Sequence, residues 1–263
     1  MTTVIAVKAK DGIILASDSQ GTSVKVKTTI KKVFKISSCI GIGASGDNSQ
    51  IELFVDELKQ HLENETGSES EFRNQMYSVI LNLHRIHNHN HSLLCGYAGT
   101  RLFFSPLSIA AAKPKDGDSY LYRVGFGTMG KNKEVTPYLY KINREYVSIG
   151  SGSSYARLVL KQQDRLYASI NKKLSDLTTE NNVGIASYVI NEVKQLDLET
   201  GGKTQIAVIN HDGYRELSPD DQIKCHQIMI DNLFSSLQEN FSNSEKTREF
   251  ICNLFHRTNG PKL

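Results

Sequence analysis

The stretch TTVIAVKAKDGIILASD, residues 2–18, decides the fold. Residues 4–7 form a short run with strand character, rich in branched side chains. Lys10-Asp11-Gly12 then makes a turn, Asp-Gly being a favoured pair for a two-residue hairpin. Ile13, Ile14 and Leu15 continue as a second strand that reaches Asp18. A polar segment follows over 19–29. Two more short strands are expected at 33–36 and 40–44, separated by Ser37-Ser38, so the chain opens as an antiparallel β-meander. Gly41, Gly43 and Gly46 end it in a tight bend.

Beyond the bend the apolar period changes from strand to helix. Ile51, Phe54, Val55, Leu58 and Leu62 have helical spacing and predict a helix over 48–65. Residues 66–68 interrupt it, and Ser68 with Glu71 forms a capping box for a second helix. The apolar face of that helix is Phe72, Met76, Val79, Ile80, Leu83 and Ile86. Strand candidates follow at 107–112, 119–124 and 146–149, with residues 114–118 as the clearest hairpin turn. The Gly-Ser bend at 150–154 leads into a third helix through Tyr155, Leu158 and Val159. A fourth carries Ile185, Val189, Ile190 and Val193. Gly201-Gly202 stops it before a strand at 205–209 and a second Asp-Gly turn at Asp212-Gly213.

Ser218-Pro219-Asp220-Asp221 combines an N-cap residue, a proline in the first turn and acidic first-turn residues, so a further helix starts there. Its apolar positions are Ile223, Ile230, Leu233, Phe234 and Leu237, and a last short helix carries Phe250, Ile251, Leu254 and Phe255. Strands, two helices, strands, two helices, strands and a helical tail make an α+β fold. Two antiparallel sheets, each covered by a helix pair, form a four-layer α-β-β-α sandwich. The expected division is a domain over 1–217 and a C-terminal helical extension over 218–263, which needs an apolar surface for its stripes, on its own subunit or on a neighbour, and is assigned to assembly rather than catalysis.

Composition narrows the function classes. The 263 residues contain 31 Lys plus Arg and 28 Asp plus Glu, a net charge of +3, which argues against a polybasic nucleic-acid arm or an acidic tail. An apolar fraction of 39% with 22% charged residues suits a packed core. The longest apolar stretch, over 102–112, is interrupted by Ser105, Pro106 and Ser108 and is too short to cross a bilayer, so no membrane contact is expected. No secretory signal pattern opens the chain. Cys39, Cys95, Cys225 and Cys252 form no CxxC pair and no zinc pattern, which points to reduced thiols in the cytoplasm.

The chemistry centres on Thr2. Small side chains at this position permit removal of the initiator methionine, and an N-terminal threonine then unites two reactive groups. Its hydroxyl can attack a carbonyl and its free α-amine can act as the base. The reference pKa of an α-amine is about 7.7–8.0, close enough to neutrality for the amine to serve as a proton acceptor there.

Around that threonine the motifs Thr2-Thr3-Val4-Ile5-Ala6-Val7, Lys10-Asp11-Gly12, Ala16-Ser17-Asp18-Ser19, Lys31-Lys32-Val33-Phe34 and Gly43-Ala44-Ser45-Gly46-Asp47 follow in order. Ile149-Gly150-Ser151-Gly152-Ser153, then Tyr155-Ala156, and Asp197-Leu198-Glu199-Thr200-Gly201-Gly202 continue the series. The ensemble, over about residues 2–213, resembles the N-terminal threonine peptidases of the Ntn-hydrolase superfamily: proteasome β-type subunits and the related bacterial HslV peptidase. The resemblance implies the same four-layer sandwich and an endopeptidase that needs no metal or organic cofactor. It implies peptide or unfolded-protein substrates and a ring-forming homo-oligomer or proteasome-type complex, with an ATP-dependent unfoldase as a candidate partner.

Residue by residue, the resemblance implies Thr2 as nucleophile and, through its amine, proton acceptor. Asp18 matches the acidic residue that orients the catalytic lysine, and Lys32 matches that lysine, with Lys31 the competing assignment. Gly43 matches the residue whose N–H faces the developing oxyanion. Ser151, Asp197 and Thr200 match the polar cluster around the terminal amine. Thr200 stands where the family usually has serine, and the 18–32 segment is about two residues shorter than in common members. A non-catalytic ring subunit and an acyl transferase or peptide ligase using the same nucleophile are the competing functions. His84 and the tract His87-Asn88-His89-Asn90-His91 have the ligand types for zinc or nickel but no accompanying carboxylate or cysteine, and are read as a polar helix end. The run over 150–154 lacks the lysine of a phosphate-binding loop.

Overall fold

A computed structural model of the chain describes residues 2–23, 26–62, 68–94, 107–112, 119–129 and 134–240. The opening hairpin is β1 (Thr3–Lys8) and β2 (Gly12–Asp18), antiparallel with Val4 opposite Ser17. Its turn is closed by the Ala9 N–H donating to the Gly12 carbonyl at 2.8 Å. Every residue of β2 is buried, so a layer must cover each face.

The polar segment over 19–29 folds as a small hairpin of its own, β3 (Gln20–Ser23) with β4 (Val26–Thr29). All four residues of β4 are exposed, so no buried face imposes the apolar alternation that marks a strand in sequence. β5 (Val33–Lys35) and β6 (Ile40–Ser45) follow, then helices α1 (Asn48–His61) and α2 (Glu69–Leu94). Asp47 caps α1 by accepting from the N–H groups of Ser49 and Gln50, and Ser68 Oγ accepts from the Glu71 N–H at 3.2 Å at the start of α2.

β7 (Leu107–Ala112), β8 (Tyr120–Met129) and β9 (Glu134–Lys141) complete one sheet, in the order β5-β6-β7-β8-β9. β9 was absent from the sequence expectation because Pro137 interrupts it. The proline is tolerated here because β9 is an edge strand. β10 (Tyr146–Gly150), α3 (Ser153–Ala168), α4 (Thr179–Leu196), β11 (Thr204–Asn210), β12 (Gly213–Glu216) and α5 (Pro219–Asn240) follow. The second sheet has the order β10-β1-β2-β11-β12, and β12 is a short edge strand that the sequence reading did not separate from the turn before it.

Strand alternation builds the layers. Val4, Ala6, Ile13, Leu15, Ala207 and Ile209 face Val33, Ile109, Ala111 and Leu121 between the two sheets. Their neighbours Ile5, Val7, Ile14, Ala16, Ile206 and Val208 face α3, α4 and α5. On the far side, Ile40, Ile42, Ala110, Tyr122 and Val124 pack under α1 and α2. The result is the four-layer α-β-β-α sandwich with two antiparallel sheets.

Two helix faces differ from expectation. α3 buries Ala156, Val159, Leu160 and Tyr167, leaving Tyr155 and Leu158 exposed. α5 buries Cys225, Met229, Leu233 and Leu237 in the helix-side core, with Ile230 and Phe234 partly buried against it, and Ile223 lies 69% exposed. α4 and α5 approach closely at Gly184, where a Cβ would lie 2.7 Å from the Met229 Cβ. The hairpin turn at 114–118 and the short helix at 250–255 fall outside the described residues.

Candidate active site

Strand register brings the candidate residues to one end of the sandwich. Thr3 pairs with Gly150, so the start of β1 lies against the bend between β10 and α3. Gly150 has φ +91, a conformation that favours glycine, and a Cβ there would sit 1.9 Å from the Thr2 carbonyl oxygen. That close approach lets the Thr2 N–H donate to Ser151 Oγ at 3.1 Å. Thr2 is only 4% exposed.

Asp18 ends β2 and gathers four donors. Its Oδ1 accepts from the Thr3 N–H and from Lys32 Nζ, each at 2.9 Å, and its Oδ2 accepts from the Gln20 and Gly201 N–H groups, each at 3.1 Å. Lys32 Nζ also donates to the Gln20 carbonyl at 2.6 Å. Both side chains of this ion pair are fully buried. Burial pushes the Lys32 ammonium below the ordinary lysine pKa, and the charge and hydrogen bond of Asp18 oppose that shift. Of the two adjacent lysines, Lys32 is the one against Asp18. Lys31 is half exposed and pairs with Glu216 at 2.6 Å.

A second polar chain lies at the end of α4. The backbone turn there is held by the Thr200 N–H donating to the Asp197 carbonyl at 3.0 Å and by the Glu199 N–H donating to Asp197 Oδ1 at 3.1 Å. Thr200 Oγ1 donates to Asp197 Oδ2 at 2.7 Å, which spends its proton. The 2.7 Å contact between the Thr3 and Thr200 hydroxyls therefore runs with Thr3 as donor. Ser151 Oγ lies 3.3 Å from Asp197 Oδ2 and 3.4 Å from the Thr2 carbonyl, and the carboxylate is the stronger acceptor. Asp197, Thr200 and Ser151 are thus joined to the first two residues of the described chain. Thr200 is buried, and its site accommodates the methyl that a serine would lack.

Gly43 lies in β6, opposite Val33 and Ile109, where a Cβ would come within 2.5 Å of Val4 Cγ1. The sheets therefore approach closely two residues along the chain from Thr2. Thr3, Gln20 and Gln205 belong to the same constellation and were not singled out from sequence. Thr3 directly follows the candidate nucleophile, whereas nothing in the sequence distinguishes Gln20 or Gln205 from other polar residues. Lys194 is a further neighbour, donating to Thr204 Oγ1 at 2.6 Å, and burial lowers its pKa while Asp18 opposes the shift.

His84 and the 87–91 tract lie on the C-terminal half of α2, with their side chains outside the described set. Among the described residues no group of three or more His, Cys, Asp or Glu is placed to hold a metal ion. No helix among them is long and apolar enough to cross a membrane.

Two antiparallel sheets between helix pairs, with the start of the first strand held in a buried polar cluster, define an Ntn-hydrolase fold. The chain belongs to the proteasome subunit family, whose sequence profile matches residues 1–209. It is 24% identical over 232 residues to proteasome subunit beta 1 of Thermococcus sibiricus, covering 84% of this chain and 92% of that one. It is 26% identical over 227 residues to proteasome subunit beta 2 of Pyrococcus abyssi, covering 82% and 90%. A proteasome subunit alpha, from Methanobrevibacter smithii, is 26% identical over 239 residues, covering 89% of this chain and 82% of its own length.

Proposed function

We propose that this chain is a catalytic proteasome-type subunit, a threonine endopeptidase whose nucleophile is Thr2 after the Met1–Thr2 bond is cleaved. The observation that carries this reading is the fully buried Lys32–Asp18 pair, bonded to the Thr3 N–H one residue from the nucleophile. A buried ion pair is a poor source of stability, because desolvation offsets most of the Coulomb attraction. A positioned ammonium has a chemical use here: it favours the alkoxide-like form of a neighbouring hydroxyl and disfavours protonation of the amine.

The reaction follows from these groups. The Thr2 α-amine takes the hydroxyl proton while Oγ1 bonds to the carbonyl carbon of the peptide. The Gly43 N–H stabilises the oxyanion, a donor of a kind that contributes about 3 kcal/mol. The tetrahedral adduct expels the product amine, which carries away that proton, and leaves an ester on Thr2. Water, deprotonated by the same amine, then releases the acid product. Ser151, Asp197 and Thr200 fix the N-terminus so that amine and hydroxyl stay aligned. The chain acts as a ring-forming homo-oligomer in the cytoplasm on peptides or unfolded proteins, with an ATP-dependent unfoldase as partner.

The test is a peptidyl electrophile and intact mass. The expected result is one adduct per chain, mapped to residue 2 with Met1 absent, together with turnover of a fluorogenic peptide. An active preparation that keeps Met1 stoichiometrically would overturn the mechanism. Added amine acceptors distinguish hydrolysis from ligation: acid products alone identify the peptidase.

A further inference from the structure

Residues 30–32 deliver Lys32 to Asp18, yet they lie between β4 and β5, outside any strand ladder. Their backbone is held piecemeal. The Ile30 N–H donates to the Ser19 carbonyl at 2.8 Å, and the Lys32 carbonyl accepts from the Ala44 N–H at 2.9 Å. On the two residues that flank Lys31, that leaves the Ile30 carbonyl and the Lys32 N–H. Both are taken by one side chain: Gln205 Nε2 donates to the Ile30 carbonyl at 2.6 Å, and Gln205 Oε1 accepts from the Lys32 N–H at 2.9 Å.

We propose that Gln205 is a positioning residue for the Lys32 ammonium: its carboxamide replaces a missing strand neighbour and fixes the backbone from which Lys32 reaches Asp18. The chemistry requires an amide of this length. A carboxylate has no proton for the Ile30 carbonyl, an ammonium has no lone pair for the Lys32 N–H, and methionine offers neither. The register places the amide correctly. On β11, Ala207 and Ile209 face the space between the sheets, so two residues earlier Gln205 faces the same way. Ser17, opposite Gln205 on β2, has a buried hydroxyl without a hydrogen-bond partner, so it does not draw the amide away from the backbone.

Gln205 also lines a groove of about 940 Å³ between the start of β5, β11, α4 and the first turns of α5. Gln222, across that groove, provides an internal control. It is a buried glutamine whose amide donates to the Leu217 carbonyl at 3.2 Å and to the Thr204 carbonyl, beside Gln205 on β11, at 3.4 Å, so it shares the groove and the strand with Gln205 but does not hold residues 30–32.

This inference rests on the peptidase reading, and the experiment separates the two. Gln205→Met and Gln222→Met are compared with wild type by peptide turnover, amide exchange at Lys32 and thermal melting. The expected result for Gln205→Met is exchange at Lys32 faster by about tenfold, the loss of roughly one hydrogen bond. Its kcat should fall by about 10- to 100-fold with KM changed less than about twofold, as for a misplaced catalytic group. Gln222→Met should lower the melting temperature while leaving kcat and Lys32 exchange at wild-type values. Wild-type kcat in Gln205→Met, with or without faster exchange, overturns the proposal, and so does an equal kcat loss in Gln222→Met. If wild-type protein neither turns over peptide nor takes the electrophile at Thr2, the peptidase reading fails. The Lys32 titration, followed by NMR of labelled lysine, then decides: a shift confined to Gln205→Met supports the positioning role, and no shift overturns it.

Discussion

Lys32 and Lys31 are identical side chains on adjacent residues, and their surroundings separate them completely. Lys32 is fully buried on Asp18, whereas Lys31 is half exposed on Glu216. An exposed pair contributes about 0–1 kcal/mol. Removing one partner of a buried pair costs about 3–5 kcal/mol, because the other charge stays behind unpaired. Asp18 keeps three backbone donors without Lys32, which softens that cost. Lys32→Ala should therefore give a folded, less stable protein whose peptidase kcat is lower by about 100-fold or more, the range for loss of a group acting on proton transfer. Lys31→Ala should stay within about twofold of wild type in kcat. Steady-state kinetics on the two variants checks this, and the reverse pattern would reassign the catalytic lysine. Thr2→Ala should abolish turnover and leave the melting temperature within a few degrees of wild type, since the change removes one small side chain at the end of a strand.

At the scale of elements, the strand-to-helix bend at Gly150-Ser151-Gly152 does the most to assemble the site. A Cβ on Gly152 would lie 2.1 Å from Thr3 Oγ1, 2.7 Å from Val193 Cγ1 and 2.9 Å from Asp197 Oδ2. Gly152→Ala should thus push apart the Thr3–Thr200–Asp197 chain and cost about 1–3 kcal/mol, the range for overpacking, with activity falling further than stability. Across the molecule, Glu69 in the first turn of α2 ties the helix to its sheet. It accepts from Lys141 Nζ at 2.7 Å and from the Tyr122 hydroxyl at 2.6 Å. Those bonds, Lys141 first, hold the Glu69 carboxyl below the usual glutamate pKa. A carboxyl with a lowered folded pKa contributes stability above its unfolded pKa of about 4.3 and loses it as pH falls through the folded value. Glu69→Gln should accordingly be about 1 kcal/mol less stable at neutral pH, and denaturant melts in acid should show the gap closing. Elements with a strong one-sided apolar pattern, such as α1, were legible in sequence. β4 and β9 were not: one has no buried face, and the other is an edge strand carrying Pro137. Site residues that belong to ordered motifs were legible too. Gln205 was not, because its role is created by an unpaired stretch of backbone 173 residues away in sequence.

For the molecule as a whole, the question is where the fold ends and assembly begins. α5 lies beyond the residues matched by the family profile, yet Cys225, Met229, Leu233 and Leu237 belong to the same core as α3, α4 and the β1–β2 face. Truncating a buried Met or Leu to alanine costs about 2–5 kcal/mol. Removing the whole helix deletes several such side chains and uncovers α4, a loss comparable to the roughly 5–15 kcal/mol that stabilises a domain. A chain ending at Leu217 should therefore fail to give a cooperative melt. Residues 241–263 pose a different case. Their apolar positions Phe250, Ile251, Leu254 and Phe255 have helical spacing and need a surface to bury them. An assembly role requires that surface to belong to a neighbouring copy of the chain rather than to the same subunit. A chain ending at Asn240 should then melt within a few degrees of wild type but sediment as smaller species. An unchanged particle size would reject the assembly role of the last 23 residues, while a collapsed melting temperature would show that they complete the subunit instead.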